Sequence, residues 1–144
     1  MSTTDIFGIV GSALDAQNTR MAAIASNLAN VDTIAPPGSA PYRAHEVVFS
    51  AAPAGDDGTG DDSSTAATGV SVTGTVLSNA PPKESYDPSS PYANAQGYVT
   101  GSNVSQVEQM VDLIDSSSSY SASVAMLQAA SRVDQQMLSS FQVS

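Results

Sequence analysis

The 144-residue sequence predicts an α+β fold: long N- and C-terminal helices paired as an antiparallel coiled coil, with a small β-hairpin region and an extended arm between them. Three observations lead there. Large apolar residues at both ends recur at alternating spacings of three and four, which is the pattern of a helical seam. Two runs in the middle alternate apolar with polar residues, as half-buried strands do. A stretch broken by Pro81, Pro82, Pro88 and Pro91 follows them and reads as an arm. The implied divisions are an N-terminal helix within 1–34, a hairpin and arm within 35–101 with an acidic tip at 54–68, and a C-terminal helix within 102–144.

In the first segment Phe7, Val10, Leu14, Gln17, Met21, Ile24, Leu28 and Val31 form the seam, with Gln17 as its polar interruption. Ser2 or Thr4 is placed to cap the helix, and Asp5 favours the positive end of its dipole. Pro36 and Pro37 forbid continuation, so the chain leaves the helix near Asn30. A helix over residues 5–30 is roughly 40 Å long. Pro41 to Phe49 then reads as one strand and Gly69 to Leu77 as a second. Between them lies a tip too polar to fold alone. Gly97-Tyr98-Val99 adds a short strand ahead of the last helix.

The C-terminal segment carries a seam of Met110, Leu113, Tyr120, Val124, Leu127, Leu138 and Phe141, with Ser117, Ser131 and Asp134 filling the gaps. Val104, Val107, Val111 and Ile114 make a second, offset stripe. Two stripes on one helix imply contact with more than one neighbour. Ser102 or Asn103 is placed to cap this helix, with Glu108 and Asp112 behind. Ser116 to Ser119 is its weak run, because consecutive serines compete for backbone hydrogen bonds. Either a bend or support from partners is expected there.

Composition narrows the function. The chain has a net charge of −10, and its cations are Arg20, Arg43, Lys83 and Arg132. Four scattered cations make no basic stripe, which argues against nucleic acid and against anionic membrane surfaces. There is no cysteine, hence no disulfide, thiolate metal site or cysteine nucleophile. No apolar run approaches the ~20 residues that span a bilayer, so no membrane insertion is expected. The N-terminus has no basic stretch and no compact apolar core, so it does not read as a secretory signal. With few aromatics and a polar middle, the ends must find each other or find neighbours.

Catalytic constellations are missing. His45 is the only histidine and falls within a strand pattern. No G-x-S-x-G elbow and no phosphate-binding glycine loop occurs. Asp56, Asp57, Asp61 and Asp62 cluster as calcium ligands do, yet their spacing gives no EF-hand pattern and no bidentate glutamate follows. A solvated tip is the simpler reading. The expectation is a structural protein, not an enzyme, with no cofactor and no metal.

The stretch GSALDAQNTRMAAIASNLANVDT resembles the N-terminal signature of flagellar axial proteins, with its Ser-Asn-Leu-Ala-Asn element at Ser26 to Asn30. NVSQVEQMVDLIDSSSSYSASVAMLQAA resembles their C-terminal signature, with Asn103-Val104, Val107-Glu108 and Met110-Val111 in register. Pro41-Tyr42-Arg43, Val47-Val48-Phe49, Tyr86-Asp87-Pro88, Pro91, Ala93 and Gly97-Tyr98-Val99 narrow the likeness to basal-body rod proteins of the proximal type. Departures are Ser118 to Ser123 where the family carries Tyr-Gln-Ala-Asn, Ser90 where a histidine is common, and an insertion after Thr33. The resemblance implies a subunit that polymerises through its terminal helices into a hollow shaft carrying torque from motor to hook. It also implies a place in the periplasmic rod of the bacterial flagellum, copies of itself and other rod proteins as partners, and export by the flagellar type III apparatus without a cleaved signal peptide. The seam and stripe residues named above would then form the assembly interface. Two alternatives remain at this point: another axial subunit of distal-rod or hook type, whose chains are longer in the middle, and a secreted binding module that displays the hairpin.

Overall fold

The computed structural model describes residues 3–53 and 68–141. Two helices bracket five strands: α1 (Thr3–Ala29), β1 (Ile34–Ala35), β2 (His45–Pro53), β3 (Thr68–Leu77), β4 (Glu84–Tyr86), β5 (Tyr98–Gly101) and α2 (Gln106–Phe141). The acidic quartet at 56–62 lies outside the described residues. The chain divides into two compact units, one of residues 1–19, 49–73 and 116–144, the other of residues 20–48 and 74–115.

In the unit of 20–48 and 74–115, α1 ends as the sequence predicts. Asn30, Val31 and Thr33 amides reach back to the carbonyls of Asn27, Leu28 and Asn30, closing its last turns. The chain then turns at Pro36 to Ser39, where Ser39 N donates to Pro36 O at 3.0 Å. Gly38, at φ +84°, supplies the left-handed residue that a Pro-Gly turn of this kind needs. β1, β5 and β4 form a three-stranded sheet in the order β1-β5-β4. Both pairings are antiparallel, with Ala35 opposite Thr100 and Tyr86 opposite Tyr98. The extended arm of the sequence reading is therefore corrected. Its prolines flank β4 instead of preventing it, and residues 84–101 make a hairpin. Ile24, Ala35, Ala44, Val99 and Val104 are buried in this unit.

That hairpin closes tightly. Asn94 Oδ1 accepts from the amides of Gln96 and Tyr98, and Gly97 N donates to Asn94 O, each at 2.9 Å. The Tyr86 and Tyr98 rings meet edge to face at 5.2 Å.

In the unit of 1–19, 49–73 and 116–144, Val10 and Ala16 of α1 are buried. Ser12 Oγ donates to Ile9 O at 2.7 Å and accepts from Val70 N at 3.1 Å, which fastens β3 to the helix. β2 and β3 form a two-stranded sheet, with the Ser50 and Ser71 hydroxyls 2.9 Å apart across it. α2 runs without interruption through Ser116 to Ser119. Serine hydroxyls there turn back on their own helix, Ser121 to Ser117 O and Ser123 to Ser119 O. The backbone competition expected of serine is thus absorbed within helical geometry.

One cap differs from expectation. α2 starts at Gln106 rather than just after Ser102 or Asn103, and Gln109 N donates to Ser105 O at 3.0 Å. The side chains of Ser102 and Asn103 are engaged elsewhere, so neither caps the helix.

Two glycines should respond in opposite senses to alanine. Gly97 has φ +84°, and a Cβ there falls 2.9 Å from Tyr86 Cε2. Gly97→Ala should lower stability by about 1–3 kcal/mol. Gly11 lies in α1 with nothing within 4 Å of an added Cβ, so Gly11→Ala should raise it by about 0.5–1 kcal/mol. Urea unfolding of the two variants checks both signs.

Candidate assembly surface

A buried amide anchors the unit of 20–48 and 74–115. Asn27, on α1, is 1% exposed and makes four hydrogen bonds. Its Nδ2 donates to His45 O at 3.0 Å and to Gln109 Oε1 at 2.8 Å. Its Oδ1 accepts from His45 N at 2.8 Å and from Tyr42 Oη at 3.2 Å. Two donors and two acceptor lone pairs are all that an asparagine side chain offers, and all are used. The Tyr42 hydroxyl also lies 2.9 Å from His45 Nδ1 and 3.1 Å from Ser26 Oγ. His45 thus has a structural place at the start of β2, consistent with the strand reading.

Asn103 does a parallel job on the loop before α2. Its Oδ1 accepts from Ala44 N at 2.7 Å, and its Nδ2 donates to the carbonyls of Ser78 and Ala80. Ser102 Oγ donates to Val31 O at 2.7 Å. Arg43 donates through Nε to Ser78 O and through Nη2 to Leu77 O and Asn79 Oδ1. Lys83 Nζ donates to Val104 O. Loops that carry no regular pairing are thereby held by side chains, which satisfies backbone groups that burial would otherwise strand.

Polar contacts also order the helices within this unit. Asn27 reaches Gln109, while Arg20 reaches Asp112 at 3.5 Å and Asp115 at 3.6 Å. As the α1 number falls, the α2 number rises, so the two segments run antiparallel. The arginine pairs are part exposed and contribute less than about 1 kcal/mol each. The buried amide pair matters more, because breaking it strands a desolvated group.

Burial sorts the seam and stripe residues into groups. Val10, Ile24 and Val104 are buried within the chain. Phe7, Leu14, Met21, Leu28, Val31, Leu113, Tyr120, Val124 and Leu127 are half-buried. Val107, Met110, Val111, Ile114 and Leu138 are exposed, and the Phe141 side chain lies outside the description. The protected positions of α2 include Gln109, Leu113, Ser116, Tyr120, Ser123 and Leu127, again spaced by four and three. This seam shares Leu113, Tyr120 and Leu127 with the sequence reading, departs from it at the exposed Met110, and half of its members are polar. The sequence reading filled the gaps of its seam with Ser117, Ser131 and Asp134, of which Ser131 and Asp134 are half-buried and Ser117 is exposed, and it passed over Gln109, Ser116 and Ser123. A signal existed: these three also keep helical spacing with Leu113, Tyr120 and Leu127.

The outcome is an apolar stripe turned to solvent. Val107 is 74% exposed, Met110 52%, Val111 61% and Ile114 70%. At positions i, i+3, i+4 and i+7 they share one face of α2. Burying such side chains is worth about 1.5–3 kcal/mol each, which this subunit forgoes. Contiguous exposed apolar patches are uncommon on soluble proteins that stay monomeric. Among the described residues no helix is long and apolar enough to cross a membrane, and no cluster of histidine and acidic side chains suits a metal ion.

Comparison with known proteins agrees with this geometry. The family described as flagella basal body rod protein matches residues 9–34, and that described as flagellar basal body rod FlgEFG protein C-terminal matches residues 95–140. The flagellar basal-body rod protein FlgC of Salmonella typhimurium strain LT2 is 42% identical over 127 residues, covering 88% of this chain and 89% of its own. FlgC of Escherichia coli O6:H1 is 43% identical over the same shares of both chains. FlgC of Yersinia enterocolitica is 41% identical, again with 88% and 89% covered.

Asn103 gives the most direct check on the loop anchors. Asn103→Ala strands the Ala44 amide and removes a donor from the Ala80 carbonyl, while Ser78 O keeps Arg43 Nε, so it should lower unfolding free energy by about 1–3 kcal/mol. Denaturant titration of the purified subunit measures this, and the change should appear without loss of helical signal in the native baseline.

Proposed function

Because the chain belongs to the FlgC family of flagellar basal-body rod proteins, whose members are structural subunits and not enzymes, we propose that it builds the proximal rod by polymerising through its terminal helices. The rod so formed is a hollow shaft that passes torque from motor to hook. The terminal helices pair as an antiparallel coiled coil, a reading supported by the antiparallel order of Asn27–Gln109 and Arg20–Asp112. Neighbours are copies of this chain and other rod proteins. The subunit reaches the periplasmic rod through the flagellar export apparatus without a cleaved signal peptide.

The observation that carries the assembly reading is the exposed stripe of Val107, Met110, Val111 and Ile114. None of the described residues covers it, and a neighbouring rod subunit with an apolar helical face would. Leu138 extends the exposed apolar surface toward the end of α2, while Phe7, Leu14, Met21, Leu28 and Val31 leave part of their area open on α1. Distributing contact over many such residues spreads shear along the helices, which suits a shaft loaded in torsion.

The test is a pair of charges on the stripe. Val107→Asp with Ile114→Asp should leave subunit stability within about 0.5 kcal/mol, since both sites are exposed. It should abolish swimming and the recovery of complete rods from cells that lack the native gene. Normal motility with a wild-type melting curve would remove the stripe from the assembly interface.

A further inference from the structure

α2 is one continuous helix, and it carries a second exposed apolar group beyond its serine run. Met126, Val133 and Met137 are open to solvent, and their spacing puts them on one face. The two groups differ in the charge beside them. The stripe of Val107, Met110, Val111 and Ile114 is bordered by Glu108, which has no partner among the described residues, and by the mostly exposed Asp115. The second group is bordered by Arg132. Arg20 meets carboxylates, and Arg43 and Lys83 donate to neutral oxygens, but Arg132 makes no hydrogen bond or ion pair with any described residue. Gln128, Ala129, Gln135 and Gln136 stand three and four positions to either side of it, and none is acidic.

We propose that the stripe at the start of α2 is covered by the Met126, Val133 and Met137 face of a second copy of this chain, with the two helices parallel and staggered. The inference rests on the assembly reading above and names the partner for its stripe. Charge complementarity selects this pairing. Taking ~100° per residue, Glu108 and Asp115 lie roughly 90–110° from the middle of the first stripe, in the sense of increasing residue number. Arg132 lies roughly 120° from the middle of the second group, in the opposite sense. When two parallel helices meet face to face, the leading flank of one adjoins the trailing flank of the other, so the acids of one copy and Arg132 of the next fall on the same side. Flanking charges of this kind set partner and orientation between helices whose apolar faces are alike. An antiparallel meeting of two identical first stripes would instead set Glu108 and Asp115 against their own counterparts. Because the paired patches are different surfaces, each copy keeps one of each for a further neighbour, and the contact propagates rather than closing as a two-fold dimer.

The chain has no cysteine, so introduced thiols report the pairing directly. Val111→Cys and Val133→Cys are made in separate full chains, one of them tagged so that the products differ in size. Both positions are exposed, so both chains should keep the circular dichroism of the wild type. The two are mixed in equal amounts at high concentration and physiological ionic strength, under mild oxidation. The mixed 111–133 disulfide should exceed either like-with-like product at least tenfold. Arg132→Glu in the Val133→Cys chain should lower its yield at least threefold, and adding Glu108→Arg to the Val111→Cys chain should restore most of it. No mixed disulfide, the three products in random proportion, or a yield indifferent to both charge changes overturns the proposal. If the Val107→Asp, Ile114→Asp variant fails to swim while no mixed disulfide forms, another rod protein covers the stripe, and the assembly reading stands without this one. A selective mixed disulfide beside normal motility of that variant would sink the assembly reading and leave the self-pairing.

Discussion

One saturated amide ties together the unit of 20–48 and 74–115. Asn27 belongs to α1, yet its four hydrogen bonds go to the loop at Tyr42, both backbone groups of His45 and the side chain of Gln109 on α2. No other described side chain ties so many segments at once within its unit. A buried polar group with every site filled is rigid and directional in a way that an aliphatic contact is not. Removing its partners one at a time would leave desolvated donors and acceptors, so the network stands or falls as a set. Asn103 and Arg43 repeat the principle on the loops, where side chains replace the ladder bonds that short, irregular segments lack.

Much of the secondary structure was legible from residue order. The bounds of α1 follow from its seam and from Pro36-Pro37, and β3 follows from alternation; β2 was read four residues early, at Pro41 to Phe49 where the strand is His45–Pro53, and β5 was read as the short strand at Gly97 to Val99. β4 was not legible, because Glu84-Ser85-Tyr86 has no apolar alternation and sits among prolines; only pairing with β5 makes it a strand. The seam of α2 was read correctly at Leu113, Tyr120, Val124 and Leu127, which are half-buried, and differs at its start, where Met110 is exposed. Period-based reading follows the large apolar side chains, and in the first turns of α2 several of those are left outside. Gln109 and Ser116 are protected instead. A helix destined for a larger assembly satisfies two sets of neighbours, and a single chain displays one of them.

The buried side of these helices is also incompletely satisfied within its own chain. In the unit of 1–19, 49–73 and 116–144, Gln17 Oε1 and Ser116 Oγ are buried atoms without a hydrogen-bond partner. Gln17 is the residue that interrupts the N-terminal seam, and Ser116 opens the serine run. Small or polar residues at such positions weaken apolar packing relative to a leucine seam.

The pairing of its cations has a consequence for how copies meet. Arg20 faces two carboxylates, but Arg43 and Lys83 spend their donors on neutral carbonyl and amide oxygens. The excess of ten negative charges is therefore hardly offset inside the fold. Identical subunits approaching one another repel until mobile ions shield them, over a Debye length of about 8 Å at physiological ionic strength. If copies meet through the apolar stripe as proposed, ionic strength becomes a control on association: dilute salt keeps them apart, and a saltier medium lets that short-range attraction take hold.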